Sequence, residues 1–147
     1  MIRSVFEAMD AKPAKVIADL MRFDTRSRSE LSEALTECAI KLGFVERRPA
    51  PPGLTLQDWI KTNKAPLWAR QAAQVMLMAH GWVPETSADW ARWAFLHIRS
   101  NESGASLPDM LATLPEQIDA KTAVGWLVAA READQLYKAL KALKGRK

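Results

Sequence analysis

The sequence predicts an all-α protein, on three observations. Apolar residues recur at i, i+3, i+4 and i+7 through most of the chain. Capping signals precede these periodic runs, and glycine or proline closes them. No run of β-branched residues alternates with polar ones over the length of a strand. The expected fold is a multi-helix bundle of about seven or eight helices, with a proline-rich connector after the first three.

Ser4 and Glu7 have capping-box spacing and open a short N-terminal helix that ends before Pro13. Pro13 suits the first turn of a second helix, with Val16, Ile17, Leu20 and Met21 on one stripe. Ser27 and Glu30 form the next box. Leu31, Ala34, Leu35, Cys38, Ala39 and Leu42 carry that helix to Gly43, a left-handed C-terminal stop. Residues 46–53 hold three prolines and a glycine, so they read as an extended connector. That connector is the expected internal boundary, between a helical segment 1–45 and a Trp-rich bundle 54–147, within one domain.

Thr55 with Asp58 caps a short helix containing Leu56, Trp59 and Ile60. Pro66 opens another that runs to Gly81, and its residues 75–79 are apolar all round, as in a central helix. Thr86 or Ser87 caps a helix bearing Trp90, Trp93, Ala94, His97 and Ile98. Residues 100–106 form a polar loop, the best place for a mobile segment. Leu107, Met110, Leu111 and Leu114 fit a short helix bounded by Pro108 and Pro115. Asp119 caps a long last helix, with Leu127, Ala130, Ala133, Leu136, Leu140 and Leu143 expected on one inward face.

A length of 147 residues, 48% of them hydrophobic and 26% charged, is one ordinary domain's worth of sequence. The single Cys38 excludes a disulfide framework or a multi-thiolate metal site within this chain. No apolar run approaches the roughly 18 residues of a membrane span. The first residues lack the apolar core of a signal peptide, and a cytoplasmic, reducing compartment is the expectation. Enzymatic signatures are missing: the glycines are scattered, and no nucleophile elbow occurs. His80 and His97 have no second ligand at i+4. His80, before Gly81, reads as a helix cap; His97 reads as a core histidine and Cys38 as packing. The sequence therefore predicts a non-enzyme, with no catalytic residue, no metal site and no cofactor.

Charge is distributed unevenly. Bases outnumber acids by 21 to 17, yet residues 138–147 hold five bases and no acid, leaving 16 and 17 in the rest. The surplus is thus Lys138, Lys141, Lys144, Arg146 and Lys147. A second basic group comprises Arg22, Arg26 and Arg28, with Arg47 and Arg48 further on. Both groups read as contacts to a nucleic-acid backbone, which needs no particular fold.

Residues 17–35, IADLMRFDTRSRSELSEAL, with GFVERR at 43–48, resemble part of a winged helix-turn-helix domain. The resemblance implies a recognition helix and a wing. Only Thr36 to Leu42 separate Leu35 from Gly43, too few for a turn and a recognition helix. One continuous helix from Arg28 to Leu42 is expected instead.

Six tryptophans stand at 59, 68, 82, 90, 93 and 126. Trp68 and Trp90 fall on predicted inner stripes. Trp82, beside Gly81 and Pro84, and Trp93, beside Arg92, are the expected docking rings, since a ring near an arginine can stack a base or anchor a partner. The function expected is a small non-catalytic helical subunit of a larger nucleoprotein assembly. It would touch nucleic-acid backbone without sequence preference and a protein partner through Trp82, Arg92 and Trp93, with no membrane role. The alternative is a helical protein-interaction module, an adaptor, inhibitor or immunity-type protein, with no nucleic-acid role.

Overall fold

A computed structural model describes residues 3–5, 7, 13–101 and 105–145. Regular structure among the described residues is helical throughout, and the chain is all-α. Residues 3–5 and 7 are helical, with Arg3 paired to Glu7 at 3.2 Å. Ser4 therefore sits inside this helix rather than capping it. The rest of the expected N-terminal helix and residues 102–104 of the polar loop lie outside the described residues. No helix among the described residues is long and apolar enough to cross a membrane.

The chain divides into two compact units, Lys12–Trp82 and, with the described N-terminal residues, Val83–Lys147. The division does not fall at the proline-rich connector. That segment lies inside the first unit, where the helices on its two sides pack on each other.

The first unit contains α1 (Lys15–Phe23), α2 (Arg28–Lys41), α3 (Gly53–Thr62) and α4 (Leu67–Ala79). α1 and α2 both pack against α3 and α4. Val16, Ile17 and Leu20 bury the stripe of α1, and Asp24 closes it, its N–H donating to Leu20 O at 2.8 Å. α2 is one continuous helix, so no recognition helix exists there. Its capping box is complete: Ser27 Oγ accepts from Glu30 N at 3.2 Å, and Ser27 N donates to Glu30 Oε1 at 3.3 Å. At the other end Gly43 takes φ +78, with Phe44 N donating to Ala39 O at 2.9 Å. Its buried face holds Leu31, Leu35 and Ala39 together with Ser32 and Thr36, while Leu42 is exposed. Both hydroxyls are satisfied, Ser32 Oγ donating to Pro51 O at 2.6 Å and Thr36 Oγ1 to Ser32 O at 2.9 Å.

The Ser32 bond ties the connector to α2 and fixes where the next helix begins. α3 starts at Gly53 with Pro52 as N-cap, three residues before the expected Thr55 cap. α4 follows Pro66 as expected, but its apolar run is not buried all round. Val75 is exposed, whereas Gln71 and Gln74 are buried with Leu77 and Met78. Gly81 ends the helix at φ +88, a left-handed conformation that favours glycine.

The second unit contains α5 (Ser87–Ser100), α6 (Leu107–Ala112) and α7 (Ala120–Lys144). Thr86 and Ser106 cap α5 and α6, each in a box closed by an aspartate three residues on, and Asp119 caps α7 through Thr122 N at 3.1 Å. α5 and α6 both pack on α7. The core comprises Trp93, Ala94, Phe95 and Leu96 of α5, Met110 of α6, and Ala123, Trp126, Leu127, Ala130 and Ala133 of α7.

The expected inward stripe of α7 holds through Leu127, Ala130 and Ala133 and then fails. Leu136, Leu140 and Leu143 are 49%, 42% and 61% exposed. At 3.6 residues per turn a three-residue step lags by about 60°, so Leu136 stands roughly 180° around the helix from Leu127. Steps of seven from Ala130 and Asp134 reach Tyr137 and Lys141, and a further step from Tyr137 reaches Lys144. The middle of the packed face thus turns basic in the last turns, and the leucines run along its edge, in register with Ala129 and Ala133.

Candidate nucleic-acid interface

The first unit holds all five arginines of the second basic group, and pairs some of them with acids. Arg22 lies 3.6 Å from Asp19, which also holds Lys15 at 2.9 Å. Arg26 grips the buried Asp24, with Nε to Oδ1 at 3.0 Å and Nη2 to Oδ2 at 2.7 Å, and its backbone N–H donates to the same carboxylate. His80, the C-cap of α4, places Nε2 3.0 Å from Asp24 Oδ2. The Arg26 guanidinium holds the Asp24 carboxyl far below the usual carboxylate range against the opposing effect of burial. Arg22 and Arg26 therefore brace α1 and its exit turn, and Arg26 is not free for phosphate. His80 is a cap whose ring also staples α4 to that turn.

Arg28, Arg47 and Arg48 are exposed. Gly53 packs against the first of them. A Cβ there would stand 2.8 Å from Ser29 N and 3.0 Å from both Arg28 C and Arg28 Cβ, so the start of α3 touches the start of α2. The positive ends of two helix dipoles meet beside Arg28, and no side chain caps α3. Arg28 and Arg47 form no ion pair with another described residue. Arg48 lies over the Trp68 ring, its guanidinium carbon 4.9 Å from the centroid. Trp59 packs edge-on against Trp68 at 6.0 Å and 84°. Both rings are half-buried, so α3 and α4 present an aromatic pair roofed by an arginine.

The rings expected to dock a partner are placed differently. Trp93 is 1% exposed, stacked on His97 at 5.0 Å and edge-on to Trp90 at 5.6 Å. It is core, and offers no docking surface. Arg92 is held by Asp89 one turn earlier, at 2.9 Å. Trp82 is half-buried. Nothing in the sequence pointed to Trp68 and Trp59 as an aromatic surface, because Arg48 lies on a connector with no periodicity to register it against α4.

His97 is a satisfied core histidine. Its Nε2–H donates to Met110 O at 2.9 Å, and burial pushes its pKa down against the effect of that bond. Burial also raises the thiol pKa of Cys38, which is half-buried on α2. Among the described residues no group of three or more His, Cys, Asp or Glu side chains could hold a metal ion.

Of the lysines in the second unit, Lys138 pairs with Asp134 at 3.2 Å, and Asp134 also binds Arg99. Lys141 and Lys144 are exposed on the last turns of α7. Arg146 and Lys147 lie outside the described residues. The two basic groups therefore belong to different units. No protein-family model matches the chain, and neither a curated protein nor a solved structure matches it.

Proposed function

We propose that this protein is a small, non-catalytic helical subunit of a nucleoprotein assembly that binds single-stranded nucleic acid without sequence preference through its first unit. The observation that carries this reading is Arg48 lying over the half-buried Trp68–Trp59 pair, in a unit that also exposes Arg28 and Arg47. Proteins that hold single strands combine cations tracking the backbone with flat rings that any base can stack on. A guanidinium lying on a tryptophan leaves its outer face for a base, and arginines outside ion pairs are available to phosphates. The meeting helix N-termini add favourable partial charge for an anion.

The test is fluorescence anisotropy of a labelled oligothymidylate over a salt series. Arg48→Lys keeps the charge and loses the planar stack. It is expected to weaken binding by about tenfold, the low end of the roughly 1–3 kcal/mol that one stacked base is worth, with an unchanged salt slope. Failure of the wild-type chain to bind at low salt refutes the reading, and so does an Arg48→Lys variant that binds like wild type.

A further inference from the structure

We infer that the last three turns of α7 are a docking surface for an acidic amphipathic helix of a partner protein. Leu136, Leu140 and Leu143 fall at i, i+4 and i+7, the spacing that faces a second helix in two-helix packing. All three are exposed, whereas Ala129 and Ala133, which precede them in the same register, are buried. The seam therefore leaves the core of the second unit and continues outward without a cover among the described residues. The face of α7 that packs on its own unit ends in Tyr137, Lys141 and Lys144, so rotating the helix would not bury the leucines without burying lysines.

Charge selects the occupant. From Gln135 onward the sequence holds Lys138, Lys141, Lys144, Arg146 and Lys147 and no acid. Lys144 stands about 40° around the helix from Leu140 and Lys141 about 100° on the same side, while Lys138 is roughly opposite and pairs with Asp134, so the positive field beside the seam comes from the last two turns. A partner helix with an apolar stripe and acidic flanks matches both features. A second copy of this chain would bring like charge to like charge. A lipid surface is matched poorly, because the stripe carries no Trp or Phe to insert. A nucleic-acid strand would satisfy the lysines and leave the leucines in water. This surface is separate from the arginine–tryptophan surface of the first unit and does not depend on it.

The experiment uses the full chain and a fluorescent designed peptide, helical, with leucines at seam spacing and glutamates on both flanks. The wild-type chain is expected to bind it, more weakly as salt rises. The double variant Leu140→Gln/Leu143→Gln is expected to lose at least about tenfold in affinity. Because both side chains are exposed, its thermal unfolding and its oligothymidylate binding should match wild type, which separates this result from the nucleic-acid reading. A control peptide with serines in place of leucines should bind at least about tenfold more weakly. Several results overturn the inference: no peptide binding, equal binding of the serine peptide, or equal binding by the double variant. Leucine-dependent sedimentation with anionic phosphatidylserine vesicles in place of peptide binding overturns it in favour of a membrane. Leucine-dependent dimerisation in analytical ultracentrifugation does so in favour of a second copy.

Discussion

Asp24 and His97 are both buried polar groups, and they are held in opposite charge states. Asp24 stays ionised because Arg26 donates from its side chain and its backbone, with His80 as a further partner. Its contribution to stability is full above its ordinary pKa of 3.8 and is lost as pH falls below it. His97 stays neutral because its site is buried, and burial outweighs the bond to Met110 O, which favours the protonated ring. Its folded pKa lies below the ordinary 6.5, so the unfolded chain binds the extra proton first. The unfolding free energy is therefore expected to decline as pH falls below about 6.5, and to level off under the lowered folded value. His97→Gln keeps a donor for Met110 O and removes the titration. Denaturant unfolding at a series of pH values from neutral downward should give that variant a flatter slope than wild type. A parallel slope would show that His97 does not carry this dependence.

At the scale of single elements, most helix boundaries were legible, because they depend on a few adjacent residues. Ser27, Thr86 and Asp119 cap the helices they were expected to cap, and Gly43 stops α2 through its left-handed φ. The start of α3 was not legible. Thr55 and Asp58 have the right spacing, but Ser32 on α2 holds Pro51 O and sets the chain to turn at Pro52. Gly53 is then the residue that lets two helices touch. Gly53→Ala would force backbone against backbone and is expected to cost about 1–3 kcal/mol of stability, measured by urea unfolding. A smaller loss would mean that α2 and α3 separate easily. The leucines of α7 were misassigned for a geometrical reason. Three-residue spacing looks like a stripe over two steps and has walked halfway round the helix by the third.

The whole molecule carries a charge of +4, and its two basic groups lie in different units. Oligonucleotide binding through the first unit assigns the salt dependence to the arginines rather than the lysines. Arg28→Gln/Arg47→Gln is expected to lower the salt slope by about 1.4, two phosphates at about 0.7 each. Lys138→Gln/Lys141→Gln/Lys144→Gln should leave the slope unchanged within error. The reverse pattern, read by anisotropy over the same salt series, would move nucleic-acid binding to α7.

The sequence by itself determined the helical class, the caps and the location of the charge, since these follow from spacing and composition within a turn or two. Tertiary structure decided which charges are available and which apolar residues are covered. Arg26 and Arg28 stand two residues apart, yet Asp24 takes one and leaves the other exposed. Trp93 and Trp68 look alike in sequence; one stacks on a core histidine and the other lies under Arg48 from a distant connector. Partners of that kind meet only when the chain folds, because they are set by packing between segments that share no local signal.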